Sequence, residues 1–446
     1  MTDAAFDSAL AEALIGIDTL WGGDVMNPSG MGRFIADCWF SDEPLPHAYT
    51  HPTAAALRGN GGVGAKVPDR ASVLAYLDAV DVRGAITRVL EGARATGGLR
   101  GAYLEGLGLC CEVMWDLAME LIGRGPEVPY ERCVRTITGR APEPSQPAAK
   151  RARVVELLAA AGHPSHDTPS LLSAVDSWRA ARRVPSRSIA AVGDAFVAYY
   201  DALAARNLVP YLPPEFALVP RANVRFLAIE NAWFSGSMNY LGHARRPDGR
   251  PEYEATYELN AALEISVPEF QQLVSHEVVP GHVTTFAYLQ DLYVRGRAGF
   301  EASVLTMNTR ASVLFEGIAN NAILMAHGVI EPAALPDRDL EIGVLLALLQ
   351  DDAKNQASYL TWHERWPEQD VAAALRAECL VTEERAGKLS GAWGRHPLLG
   401  RMYLPAYRAG TEQVAELRRR HPPEVILPAL FGARGLVDAA TLERVL

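Results

Sequence analysis

The sequence predicts a mainly α protein: two helical lobes with a small antiparallel sheet beside the second. Three observations predict it. Residues 71–95, 101–124, 149–161 and 189–206 carry apolar side chains at spacings of three and four, the period of a helix with one buried face. Only 223–230 and 254–260 alternate apolar and polar as strands do, the second after the turn signal Pro247-Asp248-Gly249. From Val267 onward the pattern is helical again, including a stretch over 302–326. The division expected is an N-terminal helical lobe over 1–210 and a second lobe over 211–446, holding the sheet and the chemistry-bearing helices.

Composition narrows the possibilities. The 446 residues are 49% hydrophobic and 21% charged, the balance of an ordinary globular chain. A formal net charge of −11 excludes nucleic acid as the main partner, since phosphate binding needs a broad basic face. The basic run Arg418, Arg419 and Arg420 closes a helical stretch before Pro422, where the helix dipole favours cations. The longest apolar run, 342–349, is far below the roughly 20 residues of a membrane span. The first residues show neither the basic nor the apolar region of a secretory signal, so a cytoplasmic location is expected. Five cysteines without a Cys-x-x-Cys pair suggest neither a disulfide framework nor a thiolate cluster, and are read as packing residues. Prolines 142, 144 and 147 mark an exposed connection over 139–147.

The informative stretch is 266–290. Ser266 followed by Glu269 makes a capping box, and Ile265 with Phe270 a hydrophobic staple, so a helix should begin there. Phe270, Leu273, Val274 and Val278 form its apolar face, and Glu277 falls three and four residues after Val274 and Leu273, aimed into that face. His276 is its neighbour, about 100° round the axis. The second histidine, His282, comes six residues after the first, about 240° round a regular helix, where both imidazoles cannot reach one ion. Pro280 has no N–H to offer the His276 carbonyl, and Gly281 permits backbone angles that other residues resist. The helix must break there, which lets His282 swing back.

The whole pattern, His276-Glu277-x-x-Pro280-Gly281-His282, resembles the hallmark of a large bacterial family of predicted zinc peptidases of unknown function. That family looks distantly related to thimet-type oligopeptidases and Taq-type carboxypeptidases, and dipeptidyl peptidase III has a similar one-residue insertion between its zinc histidines. Leu314-Phe315-Glu316-Gly317-Ile318-Ala319 looks like the family's Glu-Gly-Trp-Ala segment, and Tyr407-Arg408-Ala409-Gly410 like its Tyr-Lys-x-Gly segment. The similarity spans roughly 219–416. Departures are Val283 where histidine is common, Ile318 in place of tryptophan, and no clean counterpart of an arginine–aspartate–histidine segment around 351–363.

The resemblance implies a two-lobed metallopeptidase-like fold with one zinc ion (Zn2+) per chain, held by His276, His282 and Glu316. Three protein ligands leave a fourth position for water, as catalytic zinc requires. Glu277 is then the general base, and Tyr407 the candidate donor to a tetrahedral oxyanion. Asn320 is a candidate partner of the ligands. Arg408 is either a substrate-carboxylate ligand or a solvated surface group, and His327 either lines the site or packs. Tyr257 lies on a strand to which an extended peptide could add. The expected substrate is a short peptide or a small amino-acid-like molecule. Three functions remain open at this point: a zinc peptidase, a zinc hydrolase or lyase acting on a metabolite, and a non-enzymatic helical scaffold with a relic motif.

Overall fold

The computed structural model describes residues 3–27, 35–65, 69–230, 236–260 and 264–446. The chain opens on α1 (Asp3–Leu20), β1 (Ala36–Trp39), α2 (His47–Thr50), α3 (Pro52–Asn60) and α4 (Arg70–Ala79). Next come α5 (Val82–Thr96), α6 (Gly98–Leu121), α7 (Tyr130–Thr138), α8 (Ala148–Ala160), α9 (Thr168–Ala181) and α10 (Ile189–Asn207). The strands β2 (Val224–Ile229), β3 (Gly236–Tyr240) and β4 (Ala255–Asn260) follow, then α11 (Val267–Glu277), α12 (His282–Val294) and β5 (Val304–Thr306). The last helices are α13 (Arg310–His327), α14 (Arg338–Trp362), α15 (Glu368–Cys379), α16 (Glu383–Ser390), α17 (Leu404–Arg420) and α18 (Pro423–Leu430). The fold is mainly α, as the periodicity predicts.

Two expected helices are cut by local chemistry. The stretch 71–95 divides at Val80, because the Asp81 carboxylate accepts the Gly84 N–H and starts α5 afresh. The stretch 302–326 begins late: Val304 pairs with Trp39 as part of β5, and the Thr309 N–H donates to Ser312 Oγ to open α13 at Arg310.

The sheet is mixed rather than antiparallel throughout. β4 is its central strand, parallel to β2 (Phe226 opposite Tyr257) and antiparallel to β3 (Met238 opposite Tyr257). The third strand, only five residues beginning with a glycine, has too little alternation to be legible in sequence. Tyr257 therefore has neighbours on both sides, and strand addition at this position is ruled out.

Two cores meet along α13 and α17. One gathers Leu14, Ile86 and Leu104 of the N-terminal helices with Val313 and Ala406; the other packs Tyr200, Tyr257, Phe270 and Val274 against Ile318, Val344 and Val414. Each such buried side chain contributes roughly 1.5–3 kcal/mol. Arg310–Ala334 contains an 18-residue stretch long and apolar enough to cross a membrane, but 72% of that stretch is buried inside the protein. It is a core helix, and it delivers Glu316 to the boundary between the cores.

Candidate metal centre

The first two ligands come from a helix that is stopped and restarted. Ser266 caps α11: its hydroxyl accepts the Glu269 N–H at 3.4 Å and donates to Glu269 Oε2 at 2.7 Å. Phe270 is fully buried beside it and Ile265 packs against the same core. The helix ends at Glu277, the Val279–Pro280 peptide is cis, and helix resumes at His282. Gly281, at φ −79° and ψ −130°, is required by the space around it as well. The turn brings it so close to the preceding helix that a Cβ would collide with the carbonyls of His276 and Ser275. The result is convergence. The His276 and His282 rings lie 4.8 Å apart between centroids, at 90° to each other.

The third ligand arrives across a glycine crossing. α13 and α17 touch where a Cβ on Gly317 would meet the Gly410 backbone, and one on Gly410 would meet the Val313 carbonyl. This contact sets Glu316 facing α11 and lays Tyr403 and Tyr407, at the start of α17, over it. Glu316 Oε2 stands 3.5 Å from His276 Nε2 and 3.7 Å from His282 Nε2, and all three ligand atoms lie within 4.8 Å of one another. The two oxygens of Glu316 differ. Oε1 accepts a 2.6 Å hydrogen bond from the Tyr403 hydroxyl, whereas Oε2 is buried without a partner among the described residues.

A second layer fixes the His276 tautomer. Asn320 Nδ2 donates to Asp351 Oδ2 at 2.7 Å and to Thr411 Oγ1 at 2.9 Å, which turns its Oδ1 towards His276 Nδ1 at 2.8 Å. An amide oxygen only accepts, so Nδ1 carries the proton and Nε2 keeps the lone pair a metal needs. Asp351 is itself held by the Lys354 ammonium at 3.2 Å.

Electrostatics keep two of the ligands, His276 and Glu316, in their metal-binding forms. Burial, with help from the adjacent His282, pushes His276 down to about 3, so it is neutral at pH 7. Burial alone would raise Glu316, but His282, His276 and Lys354 outweigh it and hold the carboxyl at about 2. For His282 the Glu316 carboxylate outweighs burial and moves it upward. Its Nδ1 is buried with no hydrogen-bond partner among the described residues.

The remaining predicted residues divide. Glu277 is part-exposed at the end of α11 rather than driven into the apolar face. Its charge is felt by His282, Tyr257 and Tyr407, which places it at the site. Tyr407 is also present, but its hydroxyl donates to Tyr403 Oη at 3.1 Å, one bond removed from Glu316. Arg408 does not face the site: it bonds Glu412 at 2.8 Å and the Pro144 carbonyl at 3.0 Å, clipping down the 139–147 connection. That connection is less exposed than its prolines suggest, because Ser145 is buried against Asp352 and Gln356. His327 packs edge-on against Tyr200, with ring centroids 5.9 Å apart. Arg418 is buried on Asn321 and the Val329 carbonyl, while Arg419 and Arg420 pair with Glu331 and Glu443. All five cysteines are free and buried.

Sequence reading passed over Tyr403, Asp351, Lys354 and Thr411. Signals for some of them exist. Tyr403 is four residues before Tyr407 on one helical face, and Asp351 and Lys354 are opposite charges three apart just after the apolar run 342–349.

These residues fit zinc. Two imidazoles and one carboxylate are the ligand set of several catalytic zinc sites, and tetrahedral bonds of 2.0–2.2 Å separate the donors by about 3.4 Å. The two nitrogen–oxygen separations of 3.5 and 3.7 Å match that spacing.

No protein-family profile and no curated protein matches the chain. Its fold does have solved counterparts. A protein from Colwellia psychrerythraea, described as a putative lipoprotein, superimposes with a TM-score of 0.53 at 14% identity, over 88% of this chain and 68% of its own. A lipoprotein of the same description and unknown function from Shewanella oneidensis gives 0.50 at 14% identity, over 91% and 79%. At that identity the likeness concerns the fold alone.

Proposed function

We propose that this chain is a zinc-dependent hydrolase, a metallopeptidase acting on short peptides. The observation that carries the proposal is Glu316 Oε2, buried and unbonded between the Nε2 atoms of two histidines. When bound, zinc supplies a Lewis acid for the scissile carbonyl and lowers the pKa of its water towards 7. The chain's own residues do the rest. Asn320 keeps His276 in its Nδ1–H tautomer, and Tyr403 orients Glu316 by holding one oxygen only. Glu277, part-exposed beside His276, accepts a proton from the attacking water and passes it to the leaving amine. Tyr407 exchanges its Tyr403 acceptor for the developing oxyanion.

Metal content tests the centre. Mass spectrometry of the wild type supplied with zinc should find one ion per chain, and His282→Ala and Glu316→Ala should lose or greatly weaken it. A wild type that takes up no zinc, or variants that keep it, would refute the proposal. A library of short peptides then tests the reaction: cleavage dependent on zinc and on Glu277 is expected, whereas a zinc-loaded but inert protein belongs to another substrate class.

A further inference from the structure

Next to the metal centre, α14 and α16 bring up two cations with one carboxylate between them. Lys354 stands with its ammonium 3.1 Å from the centroid of the Tyr407 ring and pairs with Asp351 Oδ1. The other oxygen of Asp351 is already taken by Asn320 and Thr411. Arg385 lies over the Trp393 ring, its Cζ 4.9 Å from the centroid, and its buried Nε has no hydrogen-bond partner. Among the described residues no carboxylate lies within ion-pair distance of this guanidinium. The adjacent Glu384 turns away to Lys388 at 2.7 Å.

The contrast with the other arginines is informative. Arg385 is part-exposed with a buried Nε, whereas Arg401 is fully buried and Glu120 grips it through both terminal nitrogens at 2.9 and 3.0 Å. Arg408 has Glu412, and Arg100 has Glu301 through two bonds. A part-exposed guanidinium with one buried, unbonded nitrogen and no anion is open to a ligand that supplies a carboxylate. Burial lowers the proton affinity of both Lys354 and Arg385. Arg385 also senses the Tyr407 hydroxyl, which in turn senses Glu316 and Glu277. Lys354 lies on the ring of Tyr407, and α16, which carries Arg385, packs against the helix that carries Lys354.

We infer that Arg385, with Lys354 beside it, is the subsite for the substrate's free carboxylate, so the chain acts on peptides with a free C-terminus. A planar guanidinium matches a carboxylate through two parallel hydrogen bonds, which an amide cannot reproduce. This rests on the proposed zinc peptidase and narrows its substrates to those of a carboxypeptidase or dipeptidase.

The test uses the zinc-loaded full chain in a Glu277→Gln background, so that bound peptide is not consumed. Zinc content is measured first. Calorimetry then compares N-benzoylglycyl-phenylalanine with the same peptide as its C-terminal amide. The free acid should bind at least about 10-fold tighter, the scale of a hydrogen-bonded charge. Arg385→Met should lose that preference while keeping zinc and its affinity for the amide, and Arg385→Lys should recover part of it. Equal binding of acid and amide, no binding of either by zinc-loaded protein, or a preference that survives in Arg385→Met would overturn the inference and leave the metal centre standing. A protein that binds no zinc overturns both.

Discussion

Replacing Asn320 by leucine tests the site through a residue that touches no ligand-binding atom directly. The substitution removes three hydrogen bonds from a buried side chain: the 2.8 Å bond to His276 Nδ1, the 2.7 Å bond to Asp351 and the 2.9 Å bond to Thr411. Asp351 keeps Lys354 and Thr411, so its carboxylate is not stranded. His276 fares worse. Its Nδ1–H loses its acceptor, at a cost of about 1–3 kcal/mol, unless the proton moves to Nε2. That move restores nothing to the site, because it consumes the lone pair that faces Glu316 Oε2. Either route subtracts from metal binding, and the expected loss is about 10–100-fold in zinc affinity. Competition against a chromophoric chelator measures it, with circular dichroism to establish that the variant is folded. A folded Asn320→Leu protein whose zinc affinity stays within twofold of wild type would refute the reasoning.

Other perturbations separate the remaining roles. Glu277→Gln should keep one zinc per chain and lose about 10²–10⁴-fold in peptide turnover, measured as kcat with metal content checked in parallel. Tyr403→Phe removes the hydroxyl that holds Glu316 and should weaken zinc binding about tenfold or more. Tyr407→Phe should leave zinc affinity unchanged and lower kcat; the opposite pattern would exchange the roles of the two tyrosines. Gly281→Ala drives a methyl into the His276 and Ser275 carbonyls, so both thermal midpoint and zinc content should fall, by at least about 1–3 kcal/mol for the strain alone. Asp18 gives a pH signature: burial raises its carboxyl to about 7 despite N–H bonds from Ile35 and Ala36. The unfolded chain then loses this proton near pH 4 and the folded one near 7, so stability contributed here falls as pH rises between them. Asp18→Asn should therefore gain on the wild type more at pH 8 than at pH 5 in denaturant midpoints, and an equal difference at both would dismiss the assignment.

How much of this was legible depends on range along the chain. The cap at Ser266 and the break at Pro280 are set by neighbours a few residues away, and sequence spacing carries them, whereas Glu316 is marked by the family resemblance alone. The crossing of Gly317 with Gly410 joins positions far apart in sequence, so the pattern shows two glycines and no reason for either. The same holds for Asn320 with Asp351 and for Tyr403 with Glu316. Strand order is nonlocal too. Tyr257 reads as an edge residue until β3 fills the open side of β4. Arg408 and Arg385 are indistinguishable as sequence. Only packing reveals that the first is neutralised by Glu412 and the second is not.

The triad has a structural alternative, an internal ion pair between Glu316 and a protonated histidine, and the geometry disfavours it. His276 is held neutral by burial, so it brings no charge to such a pair. His282 carries the upward shift, and its Nε2, 3.7 Å from Glu316 Oε2, is within ion-pair reach but too far for the hydrogen bond that would make a buried pair strong. A carboxylate buried for structural reasons gains by saturating both oxygens, as Glu301 does on Arg100. Glu316 is instead saturated on one oxygen by Tyr403 and left bare on the other, which points between two imidazoles whose nitrogens stand apart by more than bonding distance. That arrangement is costly as a closed network. A cation the size of zinc would complete it.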